Sequence, residues 1–330
     1  MKSILSQTMT AIALSIAAVS FTAAAESPLG SPAESAGRYT RDYDYAVKAA
    51  LPRIDVPGLV KVMREVQAAA SAEKPLTIAS VSDLERVFSL PVRAKSESSE
   101  LFDFGDVAYQ FDAAMPRILL LKRYAGLQPV SRVEFASQLS AIKSSHTGLA
   151  TKLGISPAQV LFADFRETLS QTDGHPVTQK GVKGEIQSEG ATSTLLRAVS
   201  GVLVEGSYAR ISSIDSKRLD RIDVRWPAVT IADSALKYDF RAPQESASTI
   251  AKRIGQNAAG LAVNVRMAVV LRPVQTGRML AFVPSLKVGV TPQSVKSDDG
   301  YRTDAGEVFY VDLIRGSAHY VDGSGSDAAQ

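Results

Sequence analysis

Apolar positions recur at helical spacing through the first half of this chain and at strand spacing through the second. After Asp55-Val56-Pro57, the residues Leu59, Met63, Val66 and Ala70 fall at i, i+4, i+7 and i+11, which predicts an amphipathic helix. Ser82-Asp83-Leu84-Glu85 and Ser131-Arg132-Val133-Glu134 both have the S-x-x-E form of a capping box. The first leads into Val87 and Phe88, and the second into Phe135, Leu139 and Ile142 on one face. The strongest start signal is Ser156-Pro157-Ala158-Gln159, an N-cap with proline at the first helical position and glutamine at the third. It predicts a helix through Leu161, Phe162, Phe165 and Leu169, ended by the turn residues around Gly174 and Pro176.

Beyond a basic, glycine-containing connection at Gln179 to Gly184, the period changes. Ile222, Val224, Trp226 and Ala228 alternate with Asp223, Arg225 and Pro227, the spacing of a half-buried strand. Val202, Val204 and Tyr208 predict its hairpin partner, with the chain turning between Asp215 and Asp220. Leu236 to Phe240 alternates in the same way and predicts a further strand. Pro243 to Gly260 predicts a helix with Ile250 and Ile254 on one side, and strands follow at Leu261 to Arg272, Met279 to Val290 and Val308 to Ile314.

The expected fold class is therefore α+β: a helical N-terminal part, then a twisted antiparallel β-sheet packed on one face with at least one covering helix. The expected organisation is a mainly helical domain over 42–178 and an antiparallel sheet domain over 185–320. Residues 26–41, rich in Ser, Pro, Gly and Ala, read as a flexible lead-in, and 321–330 as a disordered tail.

The first 25 residues add a destination. Lys2 precedes an apolar, alanine-rich run from Met9 to Phe21, and Ala23-Ala24-Ala25 presents small residues before Glu26. This is the pattern of a secretory signal peptide cleaved after Ala25, too short to be a good membrane span. No later apolar stretch reaches the roughly 20 residues of a spanning helix, so no membrane span is expected in the mature chain. The chain contains no cysteine. That removes thiol catalysis, thiolate metal sites and disulfides together, and it fits a bacterial periplasm or medium. A formal net charge of +3 over 330 residues, one unit of it from Lys2, leaves no electrostatic footprint for nucleic acid.

Catalytic templates fail one after another. His146, His175 and His319 lie far apart in sequence, so no metal or other cofactor is expected. Ser71-x-x-Lys74 and Ser140-x-x-Lys143 have the S-x-x-K spacing, but no S-D-N accompanies them and the G-x-S-x-G elbow is absent. Phe102-Asp103-Phe104-Gly105-Asp106 either sets two acids beside aromatic rings or makes a turn centred on Gly105. Asp298 to Asp304 lacks the spacing of a calcium loop and reads as a hairpin loop, and no phosphate-binding glycine motif occurs.

Recognition chemistry remains. Trp226, the single tryptophan, shares the Ile222 and Val224 face and reads first as a core residue. If the sheet leaves a groove open, Trp226 and Tyr208 line it and Arg225 pairs with an anionic group at its rim. Arg221, Asp223 and Arg225 are expected to form a solvated mixed-charge strip on the opposite face. The function expected is an exported, non-catalytic binding or accessory protein of the bacterial envelope, recognising a partner protein or ligand. The alternatives are an envelope hydrolase built from Asp103, Asp106 or Ser140, and an inhibitor or propeptide-like module acting on another exported enzyme.

Overall fold

A computed structural model describes residues 39–72, 76–91, 101–112, 117–125, 130–171, 186–258, 260–276, 279–293, 295–297, 300–302, 306–317 and 321–322. The expected leader, the connection at Gln179 to Gly184, His175, His319 and most of the expected tail lie outside them. Three helices come first: α1 (Tyr43–Ala50), α2 (Val56–Ser71) and α3 (Val81–Phe88). Strands β1 (Phe102–Asp103), β2 (Val107–Asp112), β3 (Arg117–Lys122) and β4 (Val130–Ser131) lead to helices α4 (Arg132–Ala136) and α5 (Leu139–Lys152). The long strands β5 (Val160–Gln171), β6 (Ile186–Val199) and β7 (Val202–Ser213) follow, then β8 (Leu219–Arg225). Helices α6 (Asp233–Leu236) and α7 (Ala247–Asn257) precede β9 (Val263–Thr276), β10 (Met279–Pro292), β11 (Val295–Ser297), β12 (Gly300–Arg302), β13 (Glu307–Asp312) and β14 (Val321–Asp322). The fold is α+β. No helix among the described residues is long and apolar enough to cross a membrane.

The clearest periodicities form the elements they predict. In α2, Asp55 accepts a hydrogen bond from the Gly58 N–H at 2.8 Å, and Leu59, Met63 and Val66 are buried. Ile250 and Ile254 are buried on α7, as Ile222 and Val224 are on β8. Asp215 makes the β7–β8 turn, accepting from the N–H groups of Lys217 and Arg218 at 2.8 Å each. Ser131 caps α4 by accepting from the Glu134 N–H, though that helix stops after five residues.

Four expectations are corrected. Ser156-Pro157 starts only a single 3-10 turn, Pro157–Gln159, and the next twelve residues are strand β5, paired with β6 from Gln171↔Ile186 to Val160↔Arg197. Val160, Phe162, Phe165 and Thr168 favour extended backbone, and a neighbouring strand supplies the hydrogen bonds that decide the matter. The segment 42–178 thus contributes five strands besides its helices. Leu236 to Phe240 holds the end of α6 and a left-handed Tyr238 (φ 54°), with one isolated bridge, Phe240↔Ile314. The cap of α3 is Ser80, whose hydroxyl accepts from the Asp83 N–H at 3.1 Å, two residues earlier than the S-x-x-E reading placed it.

Glu85 is turned inward instead. It is buried, 2.6 Å from the Tyr109 hydroxyl, which also lies 2.5 Å from the Pro91 carbonyl. Replacing Tyr109 by phenylalanine removes the hydroxyl that stands between the buried Glu85 carboxylate and the Pro91 carbonyl. We expect a loss of about 1–2 kcal/mol in urea unfolding, with an unchanged denaturant slope. A loss below about 0.3 kcal/mol would show that these acceptors do not need the hydroxyl.

Among the described residues twelve strands form one sheet, in the order β1-β2-β3-β8-β7-β9-β10-β13-β14, with β6 also on β7 and carrying β5 and β4. Pairing is antiparallel with one exception. The C-terminal half of β7 pairs antiparallel with β8 (Tyr208↔Arg225 to Ser213↔Leu219), whereas its N-terminal end runs parallel to β9 (Leu203↔Val270, Val204↔Leu271). Gly206, at φ 73°, stands where β7 changes partner, in backbone that side-chain-bearing residues rarely adopt. The sheet therefore forks, and each arm has its own core. Val47, Leu59, Met63, Val66, Ile250 and Ile254 pack on Leu271, Phe282, Leu286, Val288, Phe309 and Val311. Leu84, Ala150 and Leu153 pack on Tyr109, Ile118, Leu120, Ala209, Ile211, Ile222 and Val224.

Candidate functional site

Register places nine side chains on the face of β3, β8 and β7 that points away from the second core. Arg117, Arg225 and Tyr208 form one row, Leu119, Asp223 and Arg210 the next, and Leu121, Arg221 and Ser212 the third. Strand alternation produces this directly, because Ile118, Leu120, Ile222, Val224, Ala209 and Ile211 lie between these residues and are buried in the core. Asp223 is the centre of the grid and four arginines surround it.

The carboxylate of Asp223 is only 2% exposed. It accepts from Arg221 Nη2 at 2.7 Å, with Arg117 Nε at 3.7 Å and the Tyr208 hydroxyl at 3.5 Å. The side chains of Arg117 and Arg221 remain 40% exposed, so their outer edges meet solvent. The Arg210 guanidinium lies 4.9 Å from the centroid of the Tyr208 ring. The strip expected to be solvated is therefore anchored by a buried acid. Asp223 neutralises part of the charge that would otherwise separate β3, β8 and β7.

Of the residues singled out in the sequence, Tyr208 and Arg225 are direct cross-strand partners. Trp226 is corrected: it lines no groove with Tyr208. It is 4% exposed, belongs to the second core, and its indole N–H donates to Gln159 Oε1 at 3.2 Å. Alternation turns it to the side opposite Arg225, and apolar burial holds it there. Arg210 was legible in the alternation Tyr208-Ala209-Arg210-Ile211-Ser212. Arg117 was not, because the run Ile118 to Leu121 hides the period of β3.

The catalytic candidates do not converge. Asp103 lies in a turn in which its carboxylate accepts from the Gly105 N–H at 2.9 Å, with Gly105 at φ 85°. Arg123 pairs with both its oxygens at 2.8 and 3.0 Å and holds the carboxyl down at about 2, the reverse of what a general acid requires. Asp106 and Ser140 are exposed. His146 is 2% exposed, with Ser193 Oγ 2.8 Å from Nδ1 and Ser213 Oγ 2.9 Å from Nε2, so its imidazole is sealed from substrate. Among the described residues no three His, Cys, Asp or Glu side chains gather as a metal site. A cleft of about 640 Å³ runs along the start of α2. Its lining mixes Arg53 and Lys61 with Asp55 and Glu65 and contains no aromatic ring. No protein-family model matches this chain, and no curated protein matches it.

Proposed function

We propose that this chain is a non-catalytic binding protein of the bacterial envelope, exported after cleavage at Ala25, which holds an extended anionic partner against the outer face of β3, β8 and β7. The observation that carries this reading is the four arginines that register sets around one buried carboxylate, two of them, Arg221 and Arg117, at 2.7 and 3.7 Å from it, with Tyr208 beside them. Guanidinium forks match carboxylate and phosphate groups in a way lysines do not, and Arg210 over Tyr208 is already stacked for contact. A half-exposed strand face suits a chain of repeated anionic groups better than one small enclosed molecule. The state of Asp103, Ser140 and His146 favours binding over hydrolysis.

The test is calorimetric titration of the protein with poly-L-glutamate and with inorganic polyphosphate, at two salt concentrations. Binding should weaken steeply with salt. It should fall about tenfold or more in the Arg210→Ala/Arg225→Ala variant, whose circular dichroism should match the parent. Absence of binding by the parent protein to both polymers at low salt would sink the reading.

A further inference from the structure

We infer that β5 is the seam of a two-fold dimer, in which the β5 strands of two copies pair antiparallel about Phe165 and join their sheets edge to edge. Among the described residues β5 pairs on one side only, with β6, so its other side presents a row of backbone donors and acceptors. Its two register shifts against β6 lie near its ends, at Val160/Phe162 and Thr168/Leu169, and its charges alternate in sign. Over its twelve residues the strand has no proline, no lysine and no glycine. It also exposes apolar groups, with Leu161 41%, Phe162 49% and Leu169 45% accessible.

Charge complementarity selects the occupant. A two-fold axis between antiparallel strands brings one residue opposite its own copy, and that residue fixes every other pair. Centring on Asp164 sets carboxylate against carboxylate, and centring on Arg166 sets guanidinium against guanidinium. Centring on Phe165 sets Asp164 opposite Arg166 of the second copy twice over, Phe162 opposite Thr168, and Leu161 toward Leu169 at each end. Asp164 and Arg166 already form an ion pair within one chain, and Arg166 is 78% exposed, so its guanidinium is open to a second chain. The register from Phe162↔Leu196 to Thr168↔Gly190 is unbroken, which leaves the central stretch straight enough to accept another strand. An unrelated peptide has no reason to carry this palindromic charge order, whereas a second copy carries it by identity.

The experiment is sedimentation equilibrium of the full chain, its Asp164→Arg and Arg166→Asp variants, an equimolar mixture of the two variants, and the double swap Asp164→Arg/Arg166→Asp. The parent protein should sediment at twice the chain mass. Each single variant should dimerise about tenfold more weakly or worse, since each sets like charges face to face. Mixing them should restore a dimer, because the chain with two acids then faces the chain with two arginines, and the double swap should dimerise as the parent does. A monomeric or higher-order parent overturns the inference. So does a dimer indifferent to both single variants, or a mixture that stays monomeric. The double swap retains the ion pair within each chain, and its dichroism separates loss of folding from loss of pairing.

Discussion

Replacing Arg197 by alanine should cost about 3 kcal/mol of stability, and replacing it by methionine less than half of that. Arg197 is fully buried, lies on β6 beside the fork in the sheet, and is among the largest fully buried side chains of the described residues. Its guanidinium stands 5.1 Å from the Trp226 ring centroid and donates to the Pro227 carbonyl. Trp226 belongs to one core and Val229, three residues on, to the other, so this arginine fills the joint between them. Burial pushes its guanidinium down to about 10, which still leaves it charged at neutral pH. Two effects therefore oppose each other. Alanine removes the burden of a desolvated charge, but it opens a cavity and strips the Pro227 carbonyl of its donor. Methionine removes the same charge while filling most of the space. Urea unfolding of both variants decides the matter. Equal losses for alanine and methionine would mean that the charge, and not the volume, holds the joint.

Acid should weaken the protein through His146. Burial pushes this imidazole down to about 4, so the folded chain holds it neutral. The unfolded chain takes up the proton near the ordinary value of about 6.5. The stability from this group is thus complete above about pH 6.5, declines as the pH falls, and is gone once the pH has passed through about 4. The total is about 3 kcal/mol. The neutral ring needs one donor and one acceptor partner, and the hydroxyls of Ser193 and Ser213 supply either role. A charged ring would need two acceptors beside Phe165, whose ring meets the imidazole edge-on at 6.1 Å. The measurement is urea unfolding of the parent and of His146→Gln between pH 7.5 and 4. The parent should lose stability faster, by about 1.4 kcal/mol per pH unit between about pH 6.5 and 4, and parallel curves would remove His146 as the cause.

The sequence was readable where one face of an element meets a core. Leu59, Met63 and Val66 in α2, Ile250 and Ile254 in α7, and Ile222 and Val224 in β8 are buried in the pattern their spacing predicts. It misled where an element is bounded by another strand and not by an apolar layer. On β5, Leu161, Phe162 and Leu169 remain exposed, so their spacing reports no core, and the proline at its start imitates a helix cap. β2 and β3 went unseen because Ile118 to Leu121 is a continuous apolar run in which both faces of a strand look alike. Half of the candidate face was legible: Tyr208 and Arg225 alternate with core residues. Arg117 reaches the grid only through β3–β8 pairing, a long-range contact with no local signature.

The way β7 changes partners has a consequence for modularity. The second core draws its residues from Ile78 to Trp226, and the first from Ala46 to Val66 and again from Val199 to Ile314. The inner body is thus nested in the chain of the outer one, yet Val199, Val202 and Val204 belong to the outer core while the same β7 supplies Ala209 and Ile211 to the inner. No two cuts in the chain return each core whole. A recombination that carried off the inner body would take part of the outer core with it, so the pair can be inherited only together.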